Sequence, residues 1–276
     1  MKKLILNAVL AASAITSVAG SSTVLAKAAP AVEFDHTHAA LTAIYEGTVS
    51  DGLVDYAALR ARPAALDKYL AANAATTPQE HAKWTKDQRL AFWINTYNGY
   101  TIKLIRDKGP VDSIKDLGGI FSSPWEKKFI PMPAFDPDKK NKDLTLDEIE
   151  HKLIRPVFNE PRVHAAVNCA SIGCPPLRGE AYNAETLDAQ LTEQVQNWLA
   201  DTARNKVTPV SGKIQVSKIF DWFDDDFGKK RPAVIRWIAD HVKDESVAKQ
   251  LRAGAGDLKL KYLSYSWKIN AQKGKR

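Results

Sequence analysis

Between residues 150 and 174 the chain carries Glu150, His151, His164, Asn168, Cys169, Ser171 and Cys174. A thiol, imidazoles and a carboxylate are the parts of nucleophilic catalysis. A thiolate attacks a carbonyl carbon, a base within about 3 Å generates the thiolate, and a third group orients the base. Cys169 is the expected nucleophile, His151 the general base and Glu150 the group that positions it. His164 is the alternative base. N–H groups of the loop after Cys169 are the expected oxyanion donors. Cys174 precedes Pro175-Pro176 and reads as structural, or as a disulfide partner of Cys169 across a short loop. One reactive thiol beside a structural neighbour is the competing reading.

These residues must be positioned by the elements around them. Leu144 to Glu150 reads as a strand or turn feeding a helix, with Thr145 and Glu148 at capping-box spacing, and the helix ends near Arg155-Pro156. Successive helix residues diverge by about 100°, so Glu150 and His151 point together only near a helix end. Arg162 to Asn168 alternates and predicts a strand, with His164 and Asn168 on one face. Cys169 to Gly179 is a Gly/Pro-rich loop. Upstream, Phe34 to Tyr45 and Ala57 to Ala75 predict helices, the second broken at Pro63. Thr85 to Arg106 predicts the strongest helix, capped by Thr85 or Asp87 and stopped by Gly109-Pro110. Val111 to Pro137 reads as loops with one strand at Lys127 to Met132. Downstream come a helix over Thr186 to Asn205 and a hairpin over Lys206 to Val216. Helices at Ala233 to His241 and Ser246 to Ala253 and a strand from Leu258 to Ile269 follow. Without a βαβ rhythm, the class expected is α+β, a single domain of helices around a small, mostly antiparallel sheet.

Several segments resemble the domain of unknown function 547 family. They are Phe92-Trp93-Ile94-Asn95-Thr96-Tyr97-Asn98, Leu146 to His151, Pro161 to Cys169 and Cys174-Pro175-Pro176-Leu177-Arg178. Val49 to Tyr56, Ser217 to Phe223 with Asp226-Phe227, and Trp267 to Asn270 extend the likeness over most of the chain. The resemblance implies a Cys paired with His and a carboxylate, similar to papain-like and transglutaminase-like hydrolases. The order here, Glu/His before Cys, implies a rearranged topology. It also implies that Asn95, Asn98, Asn168 and Arg178 serve binding.

The rest of the sequence bounds the function. The 276 residues are 45% apolar and 26% charged, an ordinary globular composition. Lys2 and Lys3 precede an apolar run from Leu4 to Ala19 and then small residues, the pattern of a secretory signal over residues 1–28. The domain then spans 29–276, in the periplasm or outside the cell. Without Lys2, Lys3 and Lys27 the net charge falls from +7 to +4. No later segment reaches the roughly 20 apolar residues of a spanning helix. No nucleic-acid motif or phosphate loop appears, and no cofactor or metal is expected. Asp35-His36-Thr37-His38 reads as a solvated helix start, Asp224-Asp225-Asp226 as a turn or cap, and the basic C-terminus as a solvated tail. The expectation is an exported cysteine-dependent hydrolase or acyl-transferase acting on amide or thioester bonds of a peptide-like or small-molecule substrate. The alternative is a non-catalytic envelope binding or scaffold domain with a structural Cys169–Cys174 pair. Thiol redox or metal handling is a minor third reading.

Overall fold

Thr85 starts the longest helix with a closed capping box. Its hydroxyl accepts from the Gln88 N–H, and the Gln88 side chain accepts from the Thr85 N–H. The helix runs over Lys86–Lys108 and is buried without a break from Leu90 to Ile102. A helix apolar on every side belongs at the centre of a core. Tyr56–Ala61, Ala64–Ala75 and the Ile149–Ile154 segment pack against it. Pro63 separates the first two, as predicted. The structure, a computed structural model, describes residues 33–119 and 122–275. The expected signal segment, residues 1–28, lies outside the described residues.

A second apolar cluster forms around Trp198, Phe220, Phe227 and Ile235. It is built by the helices Leu187–Ala200, Arg231–His241 and Glu245–Gly254 and by three strands. These are β3 (Lys206–Val210), β4 (Lys213–Val216) and β5 (Lys259–Tyr262), ordered β3-β4-β5. The β3–β4 pair is antiparallel and β4–β5 is parallel. Ser211 and Gly212 turn the hairpin with φ of 49° and 70°, the left-handed pair that matches strand twist. The two-stranded β1 (Val49–Ser50) and β2 (Leu53–Val54) complete an α+β fold. Both clusters belong to one compact unit that begins at Phe34.

Three expectations change. The strand predicted over Arg162 to Asn168 is a helical turn, Val163–Ala166. Its alternation is not answered by a neighbouring strand. The Asn98 amide donates to the Ala166 carbonyl and accepts from the Asn168 N–H, which ends the turn and starts the loop. The strand predicted at Lys127 to Met132 is reduced to one bridge, Ile130 to Leu144. The predicted final strand is cut to β5. Beyond it the chain continues as isolated bridges from Lys268 to Ser113, Ile269 to Ser171 and Ala271 to Val54.

Candidate functional site

The Cys169–Cys174 loop is held from both sides. Asn168 donates to the Pro175 carbonyl and accepts from the Ala170 N–H, closing the loop at its base. Arg204 donates to the carbonyls of Cys174 and Ile172, each at 2.6 Å. The C-terminal segment takes the Ile172 and Gly173 N–H groups on the carbonyls of Lys268 and Ser266. The Cys174 N–H donates to Ser171, and the Cys169 N–H donates to Cys174 Sγ. Of the loop N–H groups expected as oxyanion donors, those of residues 169, 170, 172, 173 and 174 are already committed within the protein. Ala170, at φ 58°, makes the sharp bend that brings the two thiols together.

Both cysteines are free, and their sulfurs are 2.7 Å apart. The surroundings of the two differ. Cys174 Sγ receives the Cys169 N–H at 3.2 Å and the Ser171 hydroxyl at 3.4 Å and lies 3.1 Å from the Tyr265 hydroxyl, whereas Cys169 Sγ shares the two hydroxyls at 3.5 and 3.4 Å but receives no N–H among the described residues. Burial opposes its ionisation, but hydrogen bonds from Cys169, Ser171 and Tyr265 outweigh burial and lower its pKa to about 6. The Cys169 thiol moves the other way, raised by its hydrogen bond to Cys174 and by burial. Once one sulfur carries charge, the second is held protonated beside it. Cys174, read from sequence as structural, is thus the more acidic thiol, and Cys169 is its half-buried donor.

The thiols open onto a cavity of about 240 Å³ between the two apolar clusters. Glu150, His151 and His164 line it together with Cys169 and Cys174. Glu150 and His151 share it although they are neighbours. After the capping box at Thr145–Glu148 the helix widens to a π turn over Ile149–Ile154, and Pro156 follows without an N–H to give. The Tyr97 hydroxyl faces Glu150; burial, then the nearby carboxylate and sulfurs, raise its pKa well above the usual value.

His164 is buried and its Nε2 lies 2.6 Å from Asp226 Oδ2. With the proton of Nε2 given to the carboxylate, Nδ1 is the nitrogen left to accept one. Asp226 also takes Arg155 Nε at 2.6 Å, and these two partners, His164 first, hold its carboxyl far below the usual range. Arg155 continues to His151 Nδ1 at 2.8 Å. Because guanidinium only donates, His151 carries its proton on Nε2, 3.4 Å from Asp147 Oδ1. Phe223 stacks on His164 at 4.2 Å. Among the described residues, neither imidazole hydrogen-bonds to a sulfur. Sequence reasoning took Asp226 for a turn or cap and Tyr265 for part of a strand. Their roles carry no local signal, because their partners are far away in the chain.

The family model described as Protein of unknown function, DUF547 matches residues 81–199. Over that stretch the chain is similar to this family. No curated protein and no solved structure matches the chain. The DUF547 stretch supplies Tyr97, Glu150, His151, His164 and both cysteines, whereas Trp222, Phe223, Tyr265 and Trp267 join the cavity from beyond it and Asp226 reaches His164 from behind the lining.

The remaining expected site residues lie away from the cavity. Asn95 is buried and exchanges hydrogen bonds with the Tyr182 backbone. Asn98 and Asn168 are the clamps described above. Arg178 pairs with Glu180 and Glu193 on another surface. His38 is not a solvated helix start but a buried ring 2.7 Å from the Tyr69 hydroxyl, its pKa lowered to about 4 by burial. Asp136, Asp138 and Glu148 bring carboxylate oxygens within 4.8 Å of one another. That cluster is already satisfied. Lys128 holds Glu148, Lys152 and Lys140 hold Asp138, and the N–H groups of residues 138, 140 and 142 hold Asp136. Among the described residues, no helix is long and apolar enough to cross a membrane.

Proposed function

We propose that the protein is an exported cysteine-dependent hydrolase or acyl-transferase acting on amide or thioester bonds, with Cys174 as nucleophile and His164 as base. The observation that carries this reading is the donor shell around Cys174 Sγ in the same cavity as a histidine–aspartate pair. Ionisation gives the Cys174 proton to His164 Nδ1, and Asp226 stabilises the imidazolium. The thiolate attacks the carbonyl carbon, and the imidazolium returns the proton to the departing nitrogen or sulfur. Water or an acceptor nucleophile then releases the acyl group, with His164 taking its proton. Cys169 steadies the thiolate through its thiol and its N–H.

Alkylation of the native protein by iodoacetamide, followed by mass spectrometry against pH, tests the proposal. The expected result is a single alkylation event with a midpoint well below the ~8.5 of a free thiol, lost in Cys174→Ser. Two thiols that react only in the ordinary range, or a low-pH event that survives Cys174→Ser, would overturn it. Export is supported by the basic and apolar N-terminus, and N-terminal sequencing of the mature chain is expected to start near Ala29.

A further inference from the structure

We infer that the cavity accepts a substrate bearing an ammonium group, held between the Glu150 carboxylate and an aromatic wall. The inference deepens the thiol chemistry proposed above by naming its substrate class. The wall is a run of rings in mutual contact: Trp222 to Tyr265 at 4.8 Å, Tyr265 to Trp267 at 4.6 Å and Trp267 to Trp125 at 5.6 Å. Trp222 remains 43% exposed. Ring faces carry negative potential and attract cations. Two cations of the protein already rest on rings of this cavity, Lys115 Nζ at 3.9 Å over Trp267 and Arg155 at 4.7 Å over Phe223.

Glu150 supplies the charge partner. It is half-buried, lines the cavity beside the buried Tyr97 hydroxyl, and makes no ion pair among the described residues. Its neighbours do. Asp147 faces His151, Glu148 holds Lys128, and Asp226 holds Arg155 and His164. A carboxylate partly withdrawn from water is stabilised by a cation that reaches it. The local charge points the same way. Among the described residues the lining itself carries two carboxylates, Asp147 and Glu150, and no Lys or Arg, while Asp226 and Arg155 behind it neutralise each other. An anionic substrate would meet Glu150, Asp147 and the thiolate, while Arg155 is already held by Asp226. A carbonyl substrate with an ammonium group is therefore drawn in and oriented toward the thiols.

The test needs no turnover. Choline and its uncharged isostere 3,3-dimethylbutan-1-ol are titrated against the tryptophan fluorescence of the full chain at low salt. Saturable quenching by choline is expected, with the alcohol roughly tenfold weaker or worse, as loss of a cation–π contact and a charge pair implies. Glu150→Gln should lose the preference, and Cys174→Ser should keep it. Equal responses to the two probes, no saturation by choline, or an undiminished preference in Glu150→Gln would overturn the inference. If choline fails but the low-pH alkylation of Cys174 persists, the substrate class falls and the thiol chemistry stands. The opposite pair of results would leave a cation-binding cavity without the chemistry.

Discussion

The two faces of the cavity are held by different forces. The thiol loop is fixed mainly by amide and backbone hydrogen bonds: Asn98, Asn168 and the C-terminal segment, with Arg204, itself paired with Asp201, donating to two loop carbonyls. The opposite wall is a chain of imidazoles and one ion pair, His164 to Asp226 to Arg155 to His151. Neutral hydrogen bonds between buried partners respond little to salt or pH, whereas ion pairs near solvent respond to both. The protein thus fixes the position of its sulfurs rigidly and leaves the protonation of the facing wall adjustable.

Truncating the loop's clamp gives the largest expected effect. Asn98→Ala leaves the Ala166 carbonyl and the Asn168 N–H buried without their partner, and is expected to cost about 2–4 kcal/mol, read as a fall in the urea midpoint. A loss below about 1 kcal/mol would mean that the loop is held mainly by Arg204 and the C-terminal segment. Salt should not change this loss.

Acid gives the next effect, and two windows separate a background from the wall. His38 is buried with a folded pKa of about 4, below its unfolded value of about 6.5. The unfolded chain therefore binds the extra proton between those values. Stability from neutral His38 is complete above pH 6.5 and is lost as pH falls toward 4, on the order of 3 kcal/mol in all. His38→Phe should flatten that limb of a stability–pH curve. Asp226 works in a lower window. Its folded pKa is depressed, so its contribution is present above the unfolded carboxylate value and disappears only as pH falls below it. If stability is level from pH 7 to 4, the burial argument for His38 is wrong.

The smallest stability effect is expected at the wall itself. Asp226→Asn keeps the shape but removes the charge shared by Arg155 and His164, a change of about 1 kcal/mol after solvent screening. Its larger consequence is chemical. Iodoacetamide labelling of Cys174 at neutral pH should slow by about tenfold or more, because the imidazolium is no longer stabilised. If labelling is unchanged, the thiolate is set by the loop alone and the two faces are not coupled.

Much of the architecture was legible in the chain. Thr85 with Gln88, and Thr145 with Glu148, begin helices because capping joins groups three residues apart. Pro63 and the Ser211-Gly212 turn act through their own backbone angles, which is why they could be read without the fold. The gathering of Glu150, His151, His164, Cys169 and Cys174 was also visible, since they are close in sequence and meet in one cavity.

What the sequence determined by itself was therefore the set of local elements and the stock of reactive side chains near residue 160. Only the tertiary structure decided how that stock is used. The turn over Val163–Ala166 replaced a predicted strand because the Asn98 amide, from another helix, met its backbone. Cys174 became the more acidic sulfur because the bend at Ala170 aims the Cys169 N–H at it and Tyr265, from the C-terminal segment, lies nearer to it than to Cys169, and His164 acquired its carboxylate from Asp226. The physical reason is range. Capping and turn geometry act over a few residues, whereas hydrogen bonding and desolvation of a buried thiol or imidazole depend on whatever the fold brings against it.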